Sequence, residues 1–153
     1  MREARCLIAA PLFLAIAAPA DAAEIRLRGS LLSSCILSLS TEGQLRMSDD
    51  PTVFGSEASG GQAATMTVVA IGATPTVNFT APAIDAPSGF ALSATAAIRY
   101  TSLGGSNQAY TSTASSSAQV RLLDTFTIHS RIVSTEGFQT GNYTVRTVAT
   151  CQQ

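Results

Sequence analysis

The sequence predicts an all-β protein, and specifically an antiparallel β-sandwich. Apolar and polar residues alternate along most of the chain after residue 23, as they do in strands with one buried face. Turn-forming Gly, Pro, Asn and Asp residues separate about seven or eight such stretches. No stretch after residue 23 has the period of an amphipathic helix. Short strands at close intervals with turns between them are typical of sandwiches.

The first residues of the chain predict export. Arg2 and Arg5 form a short basic start, residues 6–18 are continuously apolar, and Ala20-Asp21-Ala22 fits a small-x-small cleavage site. A membrane anchor is the alternative, but about 13 apolar residues are too few to span a bilayer about 30 Å thick. No later run is long enough either. We therefore expect residues 1–22 to be a signal peptide and the exported chain to begin near Ala23.

Residues 23–153 are expected to form a single β-sandwich domain. Two cysteines remain in it, Cys35 and Cys151, both on apolar faces of predicted strands. An oxidising compartment makes their pairing the default, with two unpaired buried thiols as the alternative. Closing a loop of about 115 residues would stabilise the fold by roughly 5 kcal/mol in the chain-entropy model.

The first alternating stretch, Glu24 to Leu39, is longer than a usual strand. Its odd positions are mostly apolar and its even positions mostly polar, with Leu32 and Ile36 as exceptions. At about 3.3 Å per residue it would extend about 50 Å, whereas strands average about 5 to 6 residues. Either the chain bends near Gly29 and passes between sheets, or residues 23–33 form a free N-terminal arm that inserts into something else.

The rest of the chain follows the same pattern. Alternation predicts six further strands, at residues 44–48, 63–71, 76–81, 90–100, 120–132 and 143–151. Residues rich in Gly, Ser, Thr or Pro predict three loops, at 54–61, 82–87 and 101–117. The Ala-rich middle of 90–100 leaves a helix as an alternative there.

Four pieces of sequence carry a resemblance to a known family. They are the alternating arm with its internal Gly29, SCILS from Ser34, GGQAATMTVVA from Gly60 and GNYTVRTVATC from Gly141. Together they resemble secreted bacterial pilin-type domains, broadly the chaperone-usher fimbrial subunits and the spore coat protein U-like group. One feature differs. Common fimbrial subunits pair two cysteines within their first half, whereas Cys151 is almost at the C-terminus.

The resemblance implies an immunoglobulin-like sandwich that lacks one strand and polymerises by strand exchange. The N-terminal arm of the next subunit would fill the open groove, with alternate side chains docking in successive pockets. The donor residues here would be Ile25, Leu27, Gly29 and Leu31. The partners would be like or unlike subunits, with a periplasmic chaperone and an outer-membrane usher. The location would be the periplasm, the cell surface or a fimbrium.

Two functions therefore remain open. The first is a structural subunit of a pilus or surface attachment fibre, assembled by strand exchange. The second is a self-contained periplasmic or surface-exposed binding domain that does not polymerise, with residues 101–117 as its contact region. If residues 23–33 are simply the first strand of a complete domain, the second function is favoured.

No enzymatic, metal or nucleic-acid site is expected. His129 is the only histidine, and alternation places it on a polar face, where a solvated residue is expected rather than a general base. Asp49 and Asp50 precede a proline and lack the rest of a calcium ligand set. The chain has 12% charged residues, no Lys and a net charge of −1, so no basic face for nucleic acid is expected. We expect no cofactor.

Overall fold

Strands provide all of the regular secondary structure in the described part of the chain. The computed structural model describes residues 26–88, 90 and 94–152. These residues contain no helix, and hence none that could cross a membrane. The strands are Ser34–Thr41 (β1), Arg46–Met47 (β2), Val53–Gly55 (β3), Ala64–Ile71 (β4), Thr76–Phe79 (β5), Ala83–Asp85 (β6), Thr95–Ser102 (β7), Asn107–Thr111 (β8), Ser115–Ser116 (β9), Leu123–Val133 (β10), Thr144–Arg146 (β11) and Ala149–Gln152 (β12). The predicted signal peptide, residues 1–22, lies outside the described residues.

The larger sheet has seven strands arranged around β10. The first half of β10 pairs with β4, and β1 pairs with the far edge of β4. The second half of β10 pairs with β3, which pairs with β2. Along its other edge β10 pairs with β7, and β7 pairs with β8. All of these pairs are antiparallel, so the prediction of an all-β protein with antiparallel sheets is confirmed.

The smaller sheets use the middle and the end of the chain. Strands β12 and β9 pair with the two edges of β5, and β11 pairs with β6. Thr80 joins the two pairings because its N–H donates to the carbonyl of Val148 at 3.0 Å, while its own carbonyl accepts the hydroxyl of Thr147 at 2.8 Å. The segment β5–β6 therefore runs beside β11–β12 as one nearly continuous ribbon.

The core lies between the inner face of the larger sheet and β5. Alternate residues of each strand point inward, so a single apolar row on each strand is enough to build it. The ring of Phe79 stacks on Tyr100 with centroids 4.5 Å apart and lies 6.0 Å from Phe126. Each such buried side chain contributes about 1.5–3 kcal/mol. The buried core residues in contact are Met66, Val68, Ala70, Val77, Phe79, Ile98, Tyr100, Val120 and Phe126.

All three segments that were predicted to be loops contain strand residues. The C-terminal part of β3 falls in 54–61, β6 lies in 82–87, and β8 and β9 lie in 101–117. The prediction of a loop at 101–117 is therefore wrong. Its serines satisfy buried main-chain groups: the N–H of Val77 donates to Ser117 Oγ at 2.8 Å, and that of Ala118 donates to Ser106 Oγ at 3.1 Å. The serines of this segment therefore provide hydrogen-bond acceptors for main-chain N–H groups where the chain passes from one sheet to another.

A disulfide joins Cys35 of β1 to Cys151 of β12, which confirms the predicted pairing. The two Cα atoms lie 6.3 Å apart, and the residues are 116 positions apart in sequence. The bond links the edge strand of the larger sheet to the edge strand of a smaller one. A structural disulfide is typical of an oxidising, extracytoplasmic environment.

Candidate functional site

An apolar groove of about 660 Å³ opens between β1 on one side and β11–β12 on the other. Its lining comes from all three sheets, since β4, β7 and β10 contribute their inner faces, β5 contributes Phe79 and β11 contributes Val145. Polar groups occur in the lining as well, among them Glu42 and Arg146. The apolar lining side chains are those of Leu37, Leu39, Ala64, Met66, Phe79, Ile98, Ile128, Val145, Val148 and Ala149.

The exposure of β1 shows that this side of the molecule is open. Leu39 pairs with Met66 and Leu37 pairs with Val68, so both leucines point to the inner face of the larger sheet. Met66 and Val68 are buried, whereas Leu39 is 59% exposed. An inner-face leucine is exposed here because none of the strands in the described part of the chain covers the space between β1 and β11–β12. The larger sheet and the ribbon that contains β11–β12 are therefore not closed on this side.

Two strand edges without a partner strand border the groove. Among the described residues, β1 pairs only with β4, while β11 and β12 pair only with β6 and β5. Each of these strands thus has one edge whose N–H and C=O groups have no strand partner. Two such edges beside an exposed apolar floor can accept an extended chain, which adds main-chain hydrogen bonds and docks alternate side chains.

The predicted donor residues precede β1. Ile25 lies outside the described residues. Residues 26–33 form neither strand nor helix, and Leu27 and Leu31 are 93% and 74% exposed. A Cβ built on Gly29 would meet no other atom within 4 Å. The first strand begins at Ser34, so the described residues before it belong to no sheet.

A cluster of four aromatic side chains was not anticipated from the sequence. Phe54 of β3 lies 5.6 Å from both Phe138 and Tyr143, measured between ring centroids, and Phe90 lies 4.8 Å from Tyr143. The hydroxyl of Tyr143 donates to the carbonyl of Gln139 at 2.9 Å and accepts its N–H at 3.0 Å. These contacts hold the connection between β10 and β11 against β3. Their positions are far apart in sequence, and no periodic pattern links them.

Charged residues gather on the outer face of the larger sheet. Arg99 forms an ion pair with Glu57, and the hydroxyl of Tyr110 donates to the other oxygen of that carboxylate at 2.5 Å. The guanidinium of Arg131 lies over the ring of Tyr110, 4.1 Å from its centroid. Burial, together with the hydrogen bond to Glu57, raises the pKa of Tyr110 above its ordinary value. Tyr110 therefore stays a neutral donor.

His129 lies on this outer face, as alternation predicted, but it is half-buried and bonded. Its Nδ1 lies 3.2 Å from Ser56 Oγ, and the same oxygen accepts the N–H of Ser130 at 3.0 Å. The Ser56 hydroxyl therefore connects the His129 ring to the main chain of β10, and it can donate to Nδ1 or accept from it, since its oxygen has two lone pairs. The residue is part of a local hydrogen-bond chain.

The acidic pair in the turn has a local role. Asp50 accepts hydrogen bonds from the hydroxyl and from the N–H of Thr52. These bonds, with the one from the hydroxyl contributing most, lower the pKa of the Asp50 carboxyl. Within the described residues there is no group of three or more His, Cys, Asp or Glu side chains that could hold a metal ion.

Comparisons with family models, with curated proteins and with solved structures found no match for this chain.

Proposed function

We propose that the protein is a structural subunit of a bacterial surface pilus or attachment fibre that assembles by donor-strand exchange. The open groove with its two unpaired strand edges is the observation that carries this proposal. An immunoglobulin-like sandwich that lacks one strand has such an opening where the missing strand would lie. The exposure of Leu39, an inner-face residue, is what that opening predicts.

The donor is the N-terminal arm, residues 23–33, of another subunit. In an extended conformation Ile25, Leu27, Gly29 and Leu31 share one face, and successive members stand about 6.6 Å apart. Leu27 and Leu31 are almost wholly exposed, so both have apolar surface left to bury. Burial would contribute about 1.5–3 kcal/mol for each leucine, while hydrogen bonds to both strand edges would fix the register.

The disulfide supports the same function. Cys35 and Cys151 lie on the two strands that border the groove, so the bond holds these strands together while the groove is unfilled. An open sandwich loses the stabilisation that the missing strand would give. A cross-link over 116 residues offsets part of that loss by restricting the unfolded chain. Before assembly, a periplasmic chaperone would cover the groove, and an outer-membrane usher would be the site of exchange.

The test compares two carboxylates introduced into the same arm. Leu27→Asp places a charge on the face that enters the groove, whereas Ser30→Asp places one on the face that stays in water. Burying an unpaired carboxylate costs several kcal/mol, so Leu27→Asp should stop polymerisation while Ser30→Asp should not. Sedimentation measures assembly, and thermal unfolding of each variant checks that the domain itself is intact.

The acceptor side is tested separately with Leu39→Asp. Because Leu39 is exposed in the subunit, this variant should fold but should neither polymerise nor bind a peptide of residues 23–33. The Leu27→Asp subunit should still bind that peptide, since its groove is unchanged. If the wild-type protein sediments as a monomer and neither charge alters its behaviour, the self-contained binding domain replaces the fibre subunit as the function.

A further inference from the structure

Arginines from separate strands form one basic face on the outside of the larger sheet. Arg46 of β2 pairs with Gly55 of β3, and Gly55 pairs with Arg131 of β10. Directly paired residues of antiparallel strands point to the same side, so both arginines lie on one face. In the next row, His129 pairs with Arg99 of β7. This basic face, defined by these four side chains, lies on the side of the sheet opposite the groove.

Glycine at position 55 lets β3 approach β10 closely in the middle of the first row. A Cβ there would lie 3.2 Å from the Cβ of Arg131, closer than ordinary contact. Neighbouring strands stand about 4.8 Å apart, so Arg46 and Arg131 begin about 10 Å from each other with no side chain between them. The guanidinium of Arg131 lies over Tyr110, and the side chain of Arg46 passes beside Gly60, so an oxyanion on this face would meet positive charge from both arginines.

The basic face has too little negative charge to balance it. Glu57 is committed to Arg99 and to the hydroxyl of Tyr110. Arg131 contacts the ring of Tyr110, and neither it nor Arg46 has an ion pair among the described residues. The Nε atoms of Arg99 and Arg131 are buried without an acceptor. Among the described residues, Glu57 is thus the one carboxylate that forms an ion pair with this face, which carries three guanidinium groups and a histidine.

We propose that the basic face binds an anionic carbohydrate through its carboxylate or sulfate groups. The adjoining row consists of threonines, because Thr127 pairs with Thr65 on one side and with Thr101 on the other. Hydroxyls beside arginines suit a ligand that carries both hydroxyls and oxyanions. Single-stranded nucleic acid would require a free aromatic ring for stacking, and the ring of Tyr110 is covered by Arg131.

The experiment measures binding of the exported protein to heparin, which carries sulfate and carboxylate groups, and to polygalacturonate, which carries carboxylate alone. Uncharged dextran is the control polymer. Arg46→Gln and Arg131→Gln should each weaken binding about tenfold, the effect of one lost charge-assisted hydrogen bond. Arg121→Gln removes the same charge from an exposed arginine outside these rows and should leave the affinity unchanged. Arg46 is exposed, so its variant separates binding from folding.

The two polymers distinguish the source of the oxyanion. Binding to both assigns the face to carboxylates, and binding to heparin alone assigns it to sulfates. Failure to bind either polymer overturns the proposal, as does an equal loss with Arg121→Gln. Tighter binding of a single-stranded oligonucleotide than of heparin also overturns it. Polymerisation is a separate readout, since neither arginine lines the groove, and both variants should assemble as the wild type does.

Discussion

Two parts of the larger sheet, its inner strands β7 and β10 and its edge strand β1, have the same alternating sequence pattern and opposite degrees of coverage. On β7 and β10 the inner-face residues Ile98 and Phe126 are 1% and 0% exposed. On β1 the inner-face Leu39 is 59% exposed. The difference comes from what lies above each part, since Phe79 of β5 covers β7 and β10 whereas none of the described strands covers Leu39. Alternation therefore identifies the apolar face of a strand without saying whether the rest of the molecule covers it.

The largest expected effect is on the covered strand β10. Phe126→Ala should lower the free energy of unfolding by about 3–5 kcal/mol, because it leaves a cavity beneath Phe79. Leu39→Ala should cost only about 0.5–1 kcal/mol, because most of that side chain is already in water. Denaturant unfolding should be measured on both changes in a Leu27→Asp background, so that polymerisation does not contribute. Equal losses would mean that the groove is covered in the isolated subunit.

The second prediction concerns the disulfide that joins the open edge strand β1 to β12. Replacing Cys35 and Cys151 by Ser should lower the free energy of unfolding by about 2–5 kcal/mol. Mass spectrometry of the native protein under non-reducing conditions should find the two peptides joined. Alkylation of two free thiols in the native exported protein would contradict the pairing.

Strands with an alternating sequence pattern could be predicted from the sequence. Strands that form only because a neighbouring strand pairs with them could not. The strand Ala64–Ile71 and the link between Cys35 and Cys151 follow from alternation and from cysteine placement. Strand β6 lies between prolines, and β8 lies in a Ser-, Thr- and Gly-rich segment. Both are strands because a neighbour supplies hydrogen bonds, which is a tertiary effect that local composition does not encode.

The N-terminal arm and the basic face differ in the same way, because only the arm has a pattern that is local in sequence. The alternating row in residues 24–39 was visible because its pattern is local, and it left a free arm as one of two alternatives. The basic face was not expected, since Arg46, Arg99 and Arg131 are scattered along the chain and come together only through the strand register. A signal existed at Gly55, a glycine inside a strand, which often marks the close approach of another group.

The third prediction tests a buried carboxylate at the start of the covered strand β10. Asp124 is 3% exposed and accepts the N–H of Gly104 at 2.7 Å. A Cβ on Gly104 would lie 2.5 Å from Asp124 Oδ2, so Gly104→Ala must push the carboxylate aside at a cost of about 1–3 kcal/mol. A double-mutant cycle with Asp124→Ala isolates the clash, because the alanine removes the opposing oxygen. Additive losses would show that the two residues do not meet.

The smallest expected effect is on the outer face of β10, at His129. His129→Ala removes one hydrogen bond to Ser56 and should lower the free energy of unfolding by about 0.5–1.5 kcal/mol. Ser56→Ala is the matched comparison and should cost more, about 1–3 kcal/mol, because it also leaves the N–H of Ser130 without its acceptor. Thermal unfolding measures both changes, and sedimentation should show that the His129→Ala protein still polymerises, because the residue lies on the face away from the groove. Loss of assembly in His129→Ala with the fold intact would show that copies of the protein also contact one another through the outer face. The contrast between the open edge strand β1 and the covered strands β7 and β10 would then be too simple to describe assembly.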